Sequence, residues 1–170
     1  LEDKKDEEYQ YLFNEVSDYK INITPEPIYY LQDGLVMFEN GTGSVNLICT
    51  LEGPQKDKAI YYWGYTEANG SFYNLPESID IIEKIKELEI QLESLINAGA
   101  SEAEIKVVEK ELATEKLKTR VEGNTIYNIN GSSISSFRTY SCGISIEDNQ
   151  IGSASIRVIN KETTPDYTLT

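Results

Sequence analysis

The chain has 170 residues, which is enough for one domain with a substantial core or for two small ones. Its formal net charge is −14, with 29 acidic residues, 15 basic residues and no histidine. This balance argues against nucleic acid and against an anionic membrane surface as partners, because both are bound by clustered Lys and Arg. Without histidine the chain lacks the commonest general base and metal ligand, and it contains no Gly-rich phosphate loop. We therefore predict no enzyme activity, no catalytic residue, no cofactor and no metal site.

Residues 1–20 form an acidic arm ahead of the predicted domain. Apolar residues recur at helical spacing between Tyr9 and Val16, which predicts a short amphipathic helix, with a disordered acidic leader as the alternative. Tyr19 to Ile23 then favours an edge strand that ends at Pro25 and Pro27. The domain itself is expected to cover residues 21–160.

Most of the chain beyond the arm alternates apolar and polar residues, as strands with one buried face do. Val45, Leu47 and Cys49 show this alternation, and Asn-Gly pairs mark the turns. Strands are predicted at 28–31 and 35–38 as paired pieces, and at 44–51, 59–66, 71–75, 124–130, 135–146 and about 154–158. Residues 161–170 are polar and interrupted by a proline, which is typical of a stalk or linker. No run of eighteen apolar residues occurs, so no membrane insertion is expected within these residues.

Residues 78–121 interrupt the β pattern with a segment rich in Glu, Lys, Leu and Ile. Apolar residues there recur in steps of four and three, which is a heptad seam. Gly99 suits a left-handed helix end, and Ser101 with Glu104 forms a capping box that opens a second helix. We predict a coiled-coil-like antiparallel helical hairpin about 30 Å long. Its seam consists of Ile81, Ile85, Leu88, Leu92 and Leu95 in the first helix and Ile105, Val108 and Leu112 in the second.

The remaining apolar residues of this insertion divide by their position along the rod. Four of them lie level with its base and are predicted to pack on the β domain, namely Ile79, Ile82, Leu117 and Val121. Ile90 and Val107 lie further out and are the candidate partner-binding residues; the alternative is solvent exposure without a function. The sequence leaves open whether the hairpin evolved with the domain or was grafted into it as a rigid handle.

Three stretches together read Cys…Trp…Tyr-x-Cys: Cys49, then Trp63 fourteen residues later, then Tyr140-Ser141-Cys142. With the alternating strands, this pattern resembles the immunoglobulin superfamily (C2-like or I-set-like) across the domain, apart from the insertion. The resemblance implies a mainly β fold, an immunoglobulin-like antiparallel β-sandwich with the helical hairpin inserted between strands C′ and E. It also implies that Trp63 and Tyr140 are core residues and that the Tyr140 hydroxyl bonds to upstream backbone.

The resemblance also bears on the cysteines and on where the hairpin lies. It implies one structural Cys49–Cys142 disulfide and an oxidising compartment, with a reduced dithiol as the alternative. Ser136 and Arg138 replace the Asp and Gly that usually precede the second cysteine, so the local corner is expected to differ. If the second helix replaces strand D, the hairpin should project beside 56–58 and 147–150. A strand D after the hairpin would instead place the rod along the sheet edge.

Four Asn-x-Ser/Thr sequons occur, about two more than chance would give, and they favour an extracellular glycoprotein. Three of them are also Asn-Gly turns, which need no glycan to explain them. The candidate glycosylation sites are Asn22, Asn40, Asn69 and Asn130.

These observations lead to an expected function in protein recognition. Because domains that resemble this one present loops and sheet faces for contact, we expect an extracellular module of a cell-surface receptor or adhesion protein. It would bind another protein through the hairpin and adjacent loops, and the sequence also allows a homo-oligomer. The alternatives are an accessory ectodomain of a channel, transporter or receptor complex, and a secreted soluble ligand or decoy.

Overall fold

The computed structural model describes residues 18–163. The helix predicted between residues 9 and 16 and most of the predicted stalk lie outside these residues. The described part of the chain is mainly β, with ten strands in two sheets and two α-helices. The coarse fold class predicted from the sequence is therefore confirmed.

The four-stranded sheet holds the strand that carries Cys49. Its strands are β1 (Lys20–Glu26), β4 (Ser44–Glu52), β7 (Arg120–Glu122) and β8 (Thr125–Asn130). Their order is β1-β4-β8-β7, and every neighbouring pair is antiparallel. The edge position predicted for the first strand is confirmed, although β1 continues through Pro25 instead of ending there. An edge strand tolerates this proline because its missing N–H does not have to serve a second neighbour.

The six-stranded sheet carries Trp63 and Cys142. Its strands are β2 (Leu31–Gln32), β3 (Leu35–Glu39), β5 (Ala59–Glu67), β6 (Phe72–Leu75), β9 (Phe137–Ile146) and β10 (Asn149–Lys161). The order is β2-β3-β10-β9-β5-β6, antiparallel except where β3 pairs with β10. The strand predicted at 28–31 is wrong, because Ile28–Tyr30 form a 3-10 turn before β2.

The main hydrophobic core lies between the two sheets. The inward positions of β4 alternate as fully buried residues, with Leu47 and Cys49 both at 0% exposure. Val36, Cys142, Ile144 and Val158 of the six-stranded sheet belong to the same buried cluster. Burial of such apolar side chains is the dominant favourable term in folding.

The insertion forms an antiparallel pair of helices with a separate core of its own. Helix α1 (Ile79–Asn97) and helix α2 (Glu102–Lys116) bury Ile85, Leu88, Val108 and Leu112 between them, with Ile81, Leu92 and Leu95 packed against these. Gly99 has a φ of +70°, and the Ser101 hydroxyl accepts a hydrogen bond from the Glu104 N–H at 3.3 Å. The predicted helix end and N-cap are confirmed, and so is the predicted seam except for Ile105, which does not belong to this core.

The base of the hairpin differs from the prediction. Ile79 and Leu117 are 59% and 71% exposed, and only Val121 joins the main core. Polar groups hold the base instead, because the last carbonyls of a helix have no partner within the helix. The side-chain amide of Asn128, in β8, donates to the carbonyls of Lys116 at 2.6 Å and Lys118 at 3.2 Å.

The position of the hairpin also corrects the sequence-based expectation. A strand, β7, follows the second helix and pairs with β8, so the helix does not replace it. The Ser78 N–H donates to the Val121 carbonyl at 3.0 Å, which places the base at the outer edge of the four-stranded sheet. Val121 and Leu47 both pair with Ile126, so they lie level with each other across the sheet. Leu47 is six residues, or about 20 Å of strand, before the loop at Gly53. The base is therefore not beside 56–58 and 147–150, as was predicted.

We expect the β domain to fold without the helices. Replacement of residues 79–118 by a short Gly-Ser linker keeps Ser78 and Val121, which hold the two ends together. The free energy of unfolding should fall by only about 1–2 kcal/mol, from the lost hydrogen bonds at Asn128. Chemical denaturation followed by tryptophan fluorescence measures this change.

The matched control for this replacement is Leu88→Asp, which opens the core of the hairpin and leaves the β domain untouched. It should lower the helical circular dichroism signal while the tryptophan transition stays in place. Loss of the tryptophan transition in the linker variant would show that the helices are part of the domain core.

Candidate protein-binding surfaces

Trp63 and the two cysteines meet in the core, where the sequence pattern predicted them. Trp63 lies opposite Cys142 in the register of β5 and β9, and it is 4% exposed. Its indole N–H donates to the carbonyl of Gly123, in the turn between β7 and β8, at 3.1 Å. A residue of the six-stranded sheet thereby satisfies a backbone group of the four-stranded sheet, and the core position predicted for Trp63 is confirmed.

The cysteine side chains of β4 and β9 face each other across the core. Both are fully buried, and the structure holds them as free thiols. The neighbouring Cys49 thiol and burial raise the pKa of Cys142 above that of an ordinary thiol. The two cysteines are thus brought together as expected, and the disulfide between them stays a prediction.

Tyr140 is buried as predicted, but within residues 18–163 its hydroxyl has no hydrogen bond to upstream backbone. Arg138 donates to that hydroxyl at 3.0 Å, and its Nε donates to the carboxylate of Glu67 at 2.9 Å. The guanidinium group also lies over the ring of Tyr65, 4.1 Å from the centroid. Arg138 occupies the position at which the immunoglobulin pattern has glycine. Its guanidinium group takes the place of the backbone group to which the tyrosine hydroxyl was expected to bond.

The four candidate glycosylation sites are all exposed. Asn22 lies on the edge strand β1, on the far side of its sheet from β7. Asn69 lies in the β5–β6 turn, whereas Asn40 and Asn130 belong to two turns that meet where the Gly131 N–H donates to the Gly43 carbonyl. None of the four lies on the helices or on residues 59–62 of β5.

The candidate partner-binding residues of the hairpin are both in solvent. Ile90 is 66% exposed and Val107 is 60% exposed, on α1 and α2 respectively. Neither belongs to the buried core of the hairpin. Their exposure fits a contact role, although the structure gives no contact between the two side chains.

A second exposed apolar surface, which was not predicted from the sequence, lies on the outer face of the six-stranded sheet. Ile60 and Tyr62 of β5 and Phe72 of β6 are each more than half exposed and form what we call the aromatic patch. The Phe72 ring packs over Gly64, where a Cβ atom would lie 2.6 Å from the ring. Ile60 and Tyr62 alternate with Trp63 along β5, so their side chains point to the other face of the sheet. This face can be recognised as the outer one only once Trp63 is known to face the core.

An open cavity of about 670 Å³ lies beside residues 59–63 of β5, where β6 has already ended. Its wall is mostly apolar and includes Tyr61, Trp63, Leu75 and Val121. Burial, reinforced by the neighbouring Cys49 and Cys142, raises the pKa of the Tyr61 hydroxyl. The cavity therefore borders both the core and the free side of the strand.

Within residues 18–163, no group of three or more Cys, Asp or Glu side chains is placed to hold a metal ion. Neither helix is long and apolar enough to cross a membrane.

Comparison with known proteins does not assign the chain to a family. No protein-family model matches it, and no curated protein is significantly similar to it.

We expect no titratable thiol in the non-reduced, denatured protein purified from an oxidising compartment. A disulfide between Cys49 and Cys142 would close a loop of about 90 residues and add roughly 4–5 kcal/mol by chain entropy. A thiol-reactive dye in denaturant measures it, and a reduced sample supplies the two-thiol reference. Two reactive thiols in the non-reduced sample would contradict both the disulfide and the compartment.

Stability should fall at high pH partly through Tyr140. Burial raises the pKa of the Tyr140 hydroxyl in the folded state, and Arg138 opposes part of this rise. The contribution of Tyr140 to the free energy of unfolding is therefore complete below the unfolded-state pKa of about 10, and it is lost as the pH rises above that value. Tyr140→Phe should flatten the slope of unfolding free energy against pH by up to about 1.4 kcal/mol per unit above pH 10. Chemical denaturation across this range measures the slope.

Proposed function

We propose that this chain is an immunoglobulin-like, extracellular recognition module that binds another protein through the hairpin and the aromatic patch. The observation that carries the proposal is the exposure of large apolar side chains on two neighbouring surfaces that folding does not require. Exposed apolar surface of this kind is a mark of interaction sites. The proposal extends the sequence-based expectation by adding Ile60, Tyr62 and Phe72 to Ile90 and Val107.

The order of the strands supports the immunoglobulin-like part of the proposal. In that family the strands are arranged A-B-E-D in one sheet and G-F-C-C′ in the other. Here β1-β4-β8-β7 and β10-β9-β5-β6 follow the same two orders, with Trp63 and the paired cysteines between them. In this assignment β7 is strand D, so the hairpin is inserted between C′ and D.

The two surfaces are suited to act together. Helix α1 begins four residues after β6 ends, so the rod starts close in the chain to the strand that carries Phe72. The base of the rod is fixed by Asn128 and by Ser78, which limits its freedom to swing. A partner that engages both surfaces loses less conformational entropy than it would with a flexible arm.

The positions of the sequons support an extracellular recognition surface. A glycan at Asn22 would lie at the opposite edge of its sheet from the hairpin base, and none of the four sequon asparagines lies on the helices or on residues 59–62. Asn69 lies at the turn beyond Phe72, so it would border the patch without covering its centre at Tyr62. Glycosylation would therefore protect other faces and leave this one accessible.

The test begins with proximity labelling by the tethered domain on living cells, which names the partner. Two double variants are then compared with wild type by surface plasmon resonance: Ile90→Asp with Val107→Asp, and Tyr62→Ser with Phe72→Ser. Each should weaken binding at least about tenfold, as loss of central apolar contacts does. The matched control is Ile28→Ser with Tyr29→Ser, which removes equally exposed side chains from the opposite edge of the six-stranded sheet.

The control should bind like wild type. Full affinity in both double variants would exclude these surfaces as the contact. A partner lost equally in the control would point to non-specific hydrophobic binding.

A further inference from the structure

The edge of the six-stranded sheet is only partly covered. Strand β6 pairs with β5 from Thr66 to Trp63 and ends there, at Leu75. The chain then crosses to the other sheet, where the Glu77 carboxylate accepts from the Gly123 N–H at 3.0 Å. Within residues 18–163, no strand pairs with residues 59–62 on this side of β5.

The backbone of Tyr61 points its hydrogen-bonding groups into this open side. The Glu67 N–H donates to the Ser71 carbonyl at 2.9 Å, and in an antiparallel ladder alternate residues point the same way. Trp63 and Tyr65 therefore face β6, and Tyr61 faces the position where β6 would continue. Ala59 offers only its carbonyl, since its N–H donates to Lys56.

Native edge strands are usually blocked by lysine, proline, a bulge or a covering loop. Residues 59–62, Ala-Ile-Tyr-Tyr, include neither lysine nor proline. Lys58 lies at the start of the strand, but its ammonium group is paired with Glu147 at 3.2 Å. Among residues 18–163, the edge of β5 at 59–62 therefore carries none of these blocking residues on its own strand.

The apolar cavity described above lies along this same edge. A strand added beside Tyr61 would direct alternate side chains inward, between Tyr61, Leu75 and Val121. The cavity volume of about 670 Å³ lies within the range of about 300–1,000 Å³ typical of small-molecule sites, so it has room for a large side chain. The edge and the cavity together specify an extended segment with at least one large apolar residue.

Charge selects among the segments that could pair there. Glu77 lines the cavity, and the chain carries a net charge of −14. A second copy of this chain would carry the same charge, so electrostatic repulsion would oppose pairing between two copies. A segment with basic residues beside its apolar core is favoured instead.

We propose that the open edge of β5 is a strand-acceptor site for an extended, basic segment of a partner protein. Backbone hydrogen bonds to Tyr61 provide the pairing, and the cavity selects a large apolar side chain. This inference rests on the proposed recognition function, and it names the kind of segment that the function would use.

The probe is a synthetic peptide, Lys-Thr-Val-Thr-Leu-Thr-Val-Lys, added to the full chain at up to millimolar concentration. Amide hydrogen exchange measured by NMR reports on the Tyr61 N–H. In the free protein this amide should exchange quickly, and saturating peptide should slow it at least about tenfold, as a new strand hydrogen bond does.

Three comparisons give the result its meaning. The same peptide with N-methyl groups at alternate residues cannot pair and should give no protection. The peptide with Glu in place of both Lys should bind several-fold more weakly. Glu77→Gln keeps an acceptor for Gly123 and should reduce the preference for the basic peptide.

Several results would overturn the proposal. The first is the absence of protection by the basic peptide, and the second is equal binding of the N-methylated peptide. The third is slow exchange of the Tyr61 N–H in the free monomer, because it would mean that the chain's own residues outside 18–163 fill the edge. Protection that grows with protein concentration alone would assign the edge to a second copy. None of these results bears on binding through Ile90, Val107 or the aromatic patch, so failure here and failure of the proposed function remain distinguishable.

Discussion

The hydrogen bond from the Trp63 indole to the Gly123 carbonyl ties the two sheets together at one point. The ring fills the core beside Cys142, and its polar N–H reaches the turn that follows β7. A buried indole N–H without a partner would cost about 1–3 kcal/mol, so this contact fixes where the turn lies relative to Trp63. The same region of the chain positions both ends of the hairpin. The Ser78 hydroxyl accepts a hydrogen bond from the Val121 N–H, and the Glu77 carboxylate accepts one from the Gly123 N–H.

The polar contacts around the main core have different roles. Arg138 serves Tyr140, Glu67 and the ring of Tyr65 together, so it closes one end of the β5–β9 pair. Such a half-buried ion pair adds little net stability, because desolvation offsets its attraction, but breaking it would leave a charge without its partner. Its main contribution is to specify one arrangement of this end of the domain.

The sequence predicted those features that depend on residues close together in the chain. Alternation located most strands, and the steps of four and three located the hairpin, its core and its turn at Gly99. Features that depend on distant residues were missed: Asn128 gives no local sign that it binds carbonyls twelve and ten residues earlier. Three residues are also too few for alternation to reveal β7. The open edge of β5 could not be predicted, because it arises from the difference in length between two paired strands.

The anchoring of the hairpin by Asn128 has a mechanical consequence. The rod is a lever about 28 Å long, since α1 has 19 residues at 1.5 Å each. The Asn128 amide connects the end of α2 to β8, an interior strand of its sheet. A force applied to the rod would therefore reach the interior strand β8 through Asn128, as well as the edge strand β7 that continues the chain from α2.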